Sequence, residues 1–359
     1  MNNFFRSSIN IAALLLLTAC GGSRENDPPP ATEDSLNLAL SEVVDQTIIP
    51  AVDAFYSDSR VFDSAAAEFC VALDAAGLTA LQSHWRGLSE SWFRLLPYNF
   101  GPLDDDLIFP PYSFIDSYRP RGRAYTETVR EQIAAWVSGS MILNTAYFSE
   151  QPFNKMGLLA VEIALFETID TQSQSRADIV DEFQSNGRKC ETLVGLSKQL
   201  VLRAQSISEG WHIVFQGKGA SYRSLFLGNQ LEDGSESLAT LITAVQQYLD
   251  YLSKRHVVSA SAAIADYAWP SVSAAVDSIE AMLQGTEKSS LSFFALMKAG
   301  GYEASVETVE NNFKMIRSSI VFEDALQFEV AISQLDGSFK REIPNGLEVE
   351  LGVNFTDGD

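Results

Sequence analysis

Between Gly157 and Phe166 the chain reads Gly-Leu-Leu-Ala-Val-Glu-Ile-Ala-Leu-Phe, an apolar run broken by one carboxylate, Glu162. As a helix, this run sets Leu158, Leu159, Leu165 and Phe166 three and four residues from Glu162, so the acid has no polar face to share. A helix that is apolar on every side belongs in a core. An ionised carboxylate buried there without compensation is costly, so Glu162 must pair with a cation, accept hydrogen bonds or keep its proton. Each outcome makes Glu162 a candidate ligand-binding residue. A structural pair with an arginine of a neighbouring helix, or an escape to water at a helix end, is the plainer alternative.

The rest of the chain has to supply that core. With 359 residues, 46% of them hydrophobic, it is long enough for one large domain or two ordinary ones, and two are expected. From Ser35, apolar residues recur at helical spacing (Leu36, Leu40, Val43, Val44, Ile48), with Pro50 expected to kink or end the segment. Further helices are expected at about 59–75, 78–96, 123–148, 157–168 and 177–209, then at about 235–255, 270–284, 289–299 and 303–335. Between 97 and 120 lies a proline-rich loop of the length that usually carries function or disorder. A glycine-rich stretch after Trp211 suggests a boundary. The organisation read from the chain is 1–19 signal peptide, 20–34 tether, 35–215 first helical bundle and 216–359 second.

The N-terminus speaks to compartment. Arg6, the apolar run Ile9 to Leu17, and Leu17-Thr18-Ala19-Cys20 form a lipobox, which reads as a signal peptide ending at an acylated cysteine and not as a membrane span. Gly21, where an aspartate would favour inner-membrane retention, points to an outer-membrane anchor, on either face. The triple proline at 28–30 makes the following stretch a tether. Cys70 and Cys190 are then an even pair in an oxidising compartment, and one disulfide between them is expected. A formal charge of -22 repels phosphate backbones and anionic lipid heads, which excludes nucleic acid as a partner and favours cations.

Other constellations are modest. Trp85 and Trp92, seven apart, read as a core stripe. Arg86, Glu90 and Arg94 form a row whose default is a solvated ion-pair ladder; in a functional version Arg86 or Arg94 turns inward to pair with Glu162 or clamps a ligand carboxylate. Asp116 and Arg119 stand beside Tyr118 in the proline loop. Arg119, Arg121 and Arg123 could hold an anion, or simply pair with Asp104, Asp105 and Asp106. His84, His212 and His256 are far apart, and no His-Glu-x-x-His, serine elbow, P-loop or dinucleotide fingerprint is present.

Residues 157–166 resemble the signature of the imelysin family, Gly-x-His-x-x-Glu followed by an apolar run, with Gly157 and Glu162 matching and Leu159 at the histidine position. His84-Trp85-Arg86 running to Phe100-Gly101-Pro102, the Ile115-Asp116 loop, Arg188-Lys189-Cys190 and the closing Asp357-Gly358-Asp359 are similar to further family segments. The resemblance implies an all-α fold of two helical bundles packed together, with the motif near their interface. It also implies a role in iron acquisition, with iron or another divalent cation as the possible cofactor and an outer-membrane uptake receptor as the partner. Glu162, Gly157, Arg86, Asp116 and Arg119 are the candidate ligand-binding residues, and none is assigned a catalytic role. The expected function is a non-catalytic binding or accessory lipoprotein, with an imelysin-type metallopeptidase and a ligand-free envelope scaffold as alternatives. Cys20→Ser is expected to release the protein from membranes on fractionation, since residues 21–359 contain no apolar run long enough to span a bilayer; unchanged membrane association of this variant would refute lipidation.

Overall fold

A computed structural model describes residues 32–106, 109–116, 118, 124–229, 231 and 235–351. Cys20 and Arg119 lie outside them, as do Arg121, Arg123 and the closing Asp357-Gly358-Asp359. Among the described residues the fold is all-α, with no strand. No helix there is long and apolar enough to cross a membrane.

Helix α1 (Glu33–Val43) runs through one wide π turn, Val44–Ile48, into α2 (Ile49–Phe69). Pro50 neither ends nor breaks the segment. It sits in the first turn of α2, just after the π turn, where a missing N–H and a bulky ring are tolerated. Asp74 caps α3 (Ala75–Leu95) by accepting from the Gly77 amide at 2.6 Å. Then follow α4 (Thr126–Ser138), α5 (Thr145–Ser149), α6 (Gly157–Phe166), α7 (Arg176–Ser185) and α8 (Gly187–His212). The second half holds α9 (Tyr222–Leu227), α10 (Ser237–Lys254), α11 (Val257–Ala260), α12 (Ala268–Gln284), α13 (Phe293–Ala299), α14 (Glu303–Val321), α15 (Ala325–Lys340) and α16 (Glu342–Leu347).

Three stretches expected as single helices are each two. Gly139 ends α4 in an extended conformation, where a Cβ would stand 2.6 Å from the Ala135 carbonyl oxygen. Asn186 closes α7 and caps α8, its side chain accepting from the Arg188 amide at 3.1 Å. Asp324 restarts the chain as α15 by accepting from the Gln327 amide at 3.0 Å, after Glu323 at φ 53°. Local capping groups override apolar periodicity in the last two cases.

Helices α2, α3 and α8 pack together, with α6 set against α3, α4, α7 and α8; α10, α12, α14 and α15 form a second group. The two groups meet where α3 lies along α12. Small serines allow this approach, Ser89 Oγ and Ser271 Oγ being 2.9 Å apart across it, and just past α3 the Tyr98 hydroxyl donates to the Ser278 carbonyl at 2.9 Å. One hydrophobic cluster extends from Ala39 to Leu347 without a break, so the two groups share a core. Trp85 and Trp92 lie fully inside it, against Phe166 and Phe55 respectively.

All ten residues of α6 are buried. The chain enters it abruptly: Met156 is extended, Gly157 takes φ 81°, and the Leu158 amide donates to the Ile115 carbonyl at 3.0 Å. That φ is readily available only to glycine, so Gly157 serves the turn that points α6 into the core. A disulfide joins Cys70, just past α2, to Cys190 in the first turn of α8, closing 120 residues of chain around α6. Replacing both cysteines by serine is expected to lower unfolding stability by roughly 4–5 kcal/mol in the chain-entropy account, read from denaturant midpoints; a loss below about 1 kcal/mol would show that packing alone holds these ends.

Candidate functional site

The site is built from the middle of α6, the loop at 115–118 and the segment between α10 and α12. Glu162 is wholly buried. Its Oε1 accepts a hydrogen bond from the Ala265 amide at 2.9 Å, and the Ile264 amide also favours the charged carboxyl. The backbone there is shaped for the purpose, with Ala262 and Asp266 in the left-handed region at φ 53° and 50°. The Tyr118 hydroxyl lies near enough to influence the carboxyl, yet neither it nor Oε2 of Glu162 completes a hydrogen bond. Burial pushes the Glu162 carboxyl up to about 8, with the two amides and Tyr118 pulling it partly back.

A cleft of about 350 Å³ reaches this carboxyl, walled by Tyr118, Thr126, Arg130, Leu159, Gln174 and Ile264 among others. Arg130, on α4, has its guanidinium committed: Nε and Nη2 grip both oxygens of Glu167 at 2.6 and 2.7 Å, and Nη1 reaches Glu127 at 2.6 Å. Those bonds, Glu167 foremost, hold it above its ordinary pKa. Beyond Glu167, the fully buried Lys189 donates to the Glu167 carbonyl at 3.2 Å and pairs with Glu182. Burial lowers the Lys189 pKa, opposed by Glu182.

The residues singled out in the sequence are brought together only in part. Asp116 is buried behind Tyr118, accepting from its amide at 3.3 Å, and burial pushes its carboxyl up to about 6. Tyr248 of α10 has a buried, unpartnered hydroxyl, held well above its usual pKa by burial and then by Asp116. Gly157 shapes the helix entry and does not line the cleft. Arg86 lies over the rings of Phe166 and Tyr267, 5.3 and 5.4 Å from their centres, and among the described residues no ion pair joins it to Glu162. Glu90 accepts from the Tyr267 hydroxyl, so two members of the expected ladder, Arg86 and Glu90, make contacts outside it. In the sequence Tyr118 is one member of the proline-rich loop, and Arg130, Gln174 and the Ala-rich segment 259–265 carry no signal of their own.

The donor set does not suit a metal. Leu159, one turn before Glu162, offers no lone pair, and among the described residues no group of three His, Cys, Asp or Glu side chains converges. His212 pairs with Asp53 at 2.7 Å and His256 with Glu329 at 2.5 Å.

The imelysin family model matches residues 48–320, three-quarters of the chain and the whole of this site. The chain belongs to the imelysin family. An imelysin-like protein from Psychrobacter arcticum shares the fold with a TM-score of 0.64 at 15% identity, covering 90% of this chain and 98% of that one. A protein from Parabacteroides distasonis, named as a candidate iron-regulated protein A precursor, matches with a TM-score of 0.60 at 14% identity over 90% and 97% of the two chains. No curated protein matches. Within this imelysin, the motif carboxylate is kept and set in a buried position that a backbone amide meets.

Because the folded state holds the Glu162 proton above the pH at which an ordinary glutamate releases it, near 4.5, folding takes up a proton and stability falls as pH rises from about 5 to about 8. Each unit of pKa shift corresponds to about 1.4 kcal/mol. Glu162→Gln is expected to flatten this fall in denaturant unfolding measured across that range. An unchanged slope would assign the titration to another group.

Proposed function

We propose that this imelysin is a lipid-anchored protein of the outer membrane that binds a ligand without cleaving it, as an accessory in the uptake of iron or another divalent metal. The observation that carries the non-catalytic part is Leu159. In the family motif a histidine and the glutamate lie three residues apart on one helical face, where imidazole and carboxylate can share a cation. Here Leu159 walls the same cleft as Glu162, and among the described residues no group of metal-ligating side chains stands in for the histidine. A lone carboxylate prefers hard cations and holds them weakly. Hydrolysis through a bound metal therefore lacks its ligands, and the metallopeptidase alternative falls behind.

Support for the iron role is the shared fold with a protein named for iron regulation, together with a strongly acidic chain that attracts cations. The lipobox supports the anchor, and an outer-membrane receptor would be the natural partner for a tethered accessory. Growth of a deletion strain under iron limitation tests this role, complementation by the intact chain but not by Cys20→Ser being the expected result.

The site itself is tested by calorimetric titration with zinc. The natural protein is expected to bind weakly, and Leu159→His to bind at least tenfold tighter, about 1.4 kcal/mol. Tight zinc binding by the natural protein that Glu162→Ala abolishes would restore the peptidase assignment.

A further inference from the structure

We infer that the Glu162 cleft takes the primary ammonium group of a small organic amine, with Glu162 and Tyr118 meeting the head and Leu159 and Ile264 walling its apolar body. The inference rests on the cleft being a ligand site and is independent of the iron role. Two oxygens there, Oε2 of Glu162 and the Tyr118 hydroxyl, are buried and close to each other, yet neither makes a hydrogen bond of ordinary geometry. Native proteins rarely leave such atoms unmatched, and an ammonium carries three donors that could satisfy both. The walls add apolar surface from Leu159, Ala260, Ala263 and Ile264, which a bare ion would not use and a short hydrocarbon body would.

Charge selects among ligand classes. The one cationic side chain lining the cleft among the described residues is Arg130, and its guanidinium is held by Glu167 and Glu127. An anionic ligand would have to displace Glu167 while facing Glu162, with Asp116 behind Tyr118. From the 259–264 segment come Ser259, Ala260, Ala263 and Ile264, none of them titratable. Among the described residues the site thus lacks a positive charge in surplus and holds a carboxyl whose ionisation an incoming cation would favour. On binding, the Glu162 proton leaves to solvent and the resulting carboxylate pairs with the ammonium, so charge and protons balance. Burial pushes this carboxyl up to about 8, so the release is measurable near neutral pH.

The test uses the full mature chain with three matched probes, hexylamine, hexanol and hexanoate, in calorimetry at about pH 8.5, where an alkylamine of lysine-like pKa is still charged. Hexylamine is expected to bind at least tenfold tighter than the other two at pH 8.5, to release close to one proton at about pH 7, where the free carboxyl still holds it, as judged from two buffers of different ionisation heat, and to weaken about tenfold or more at pH 6. Glu162→Gln should lose this binding, and Tyr118→Phe, which keeps the ring, should weaken it. Equal or tighter binding of hexanol or hexanoate overturns the ammonium assignment while leaving the cleft a ligand site. Binding of none of the three, or hexylamine binding that survives Glu162→Gln, overturns it as well; the zinc titration of Leu159→His then decides separately whether the cleft is open to any ligand.

Discussion

A helix with no polar face has to be enclosed on every side, and in this protein that requirement falls on the ten residues of α6. Helices α3, α4, α7 and α8 surround it, and the disulfide from the end of α2 to the start of α8 closes the chain around it. Enclosure creates the central difficulty, because Glu162 goes in with the rest. Its carboxyl is met by backbone amides from the segment before α12, so an acid in the first half is satisfied by main chain of the second. Packing of α6 and the joining of the two halves are therefore one problem with one solution.

That solution leaves the acid with one oxygen bonded and one not, and with a pKa raised by burial. Nearby ionic groups are handled differently. Glu167, at the end of the same helix, has an arginine on both oxygens, and buried Lys189 has Glu182. Breaking pairs of this kind leaves an uncompensated charge, at a cost of several kcal/mol. Glu162, Tyr118, Asp116 and Tyr248 instead make a row of buried acids and phenols with raised pKa values. Grouped perturbed pKa values next to a cleft are the usual mark of a working site rather than of a structural ion pair.

The replacement of the motif histidine by Leu159 changes what such a site can do. Imidazole would add a nitrogen donor and a second titrating group; leucine adds apolar wall. The fold of the family persists at 14–15% identity to solved relatives because it depends on burial and helix packing, which tolerate exchange of side chains of similar character. Chemistry depends on single atoms and is more sensitive to such an exchange than the fold is. Membership of the imelysin family and a leucine at the motif histidine position thus coexist in the same chain.

The sequence by itself determined the helical class, the burial of α6, the core placement of Trp85 and Trp92, and the special character of Glu162, because each follows from periodicity or from the cost of burying a charge. It blurred the breaks at Gly139, Asn186 and Asp324, where one capping or turn residue outweighs a continuing apolar pattern. The partners of Glu162 were not legible. Ala265 and Ile264 act through backbone amides, which carry no side-chain signature, and they come from about a hundred residues further along the chain. Arg130 likewise looks like any surface arginine until α4 is laid beside the end of α6, while Arg86, which the sequence offered as one alternative partner of Glu162, lies over the rings of Phe166 and Tyr267. Local pattern decides which residues must be buried; only the tertiary structure decides which groups meet them there, because that meeting depends on distances between segments the sequence leaves unconnected.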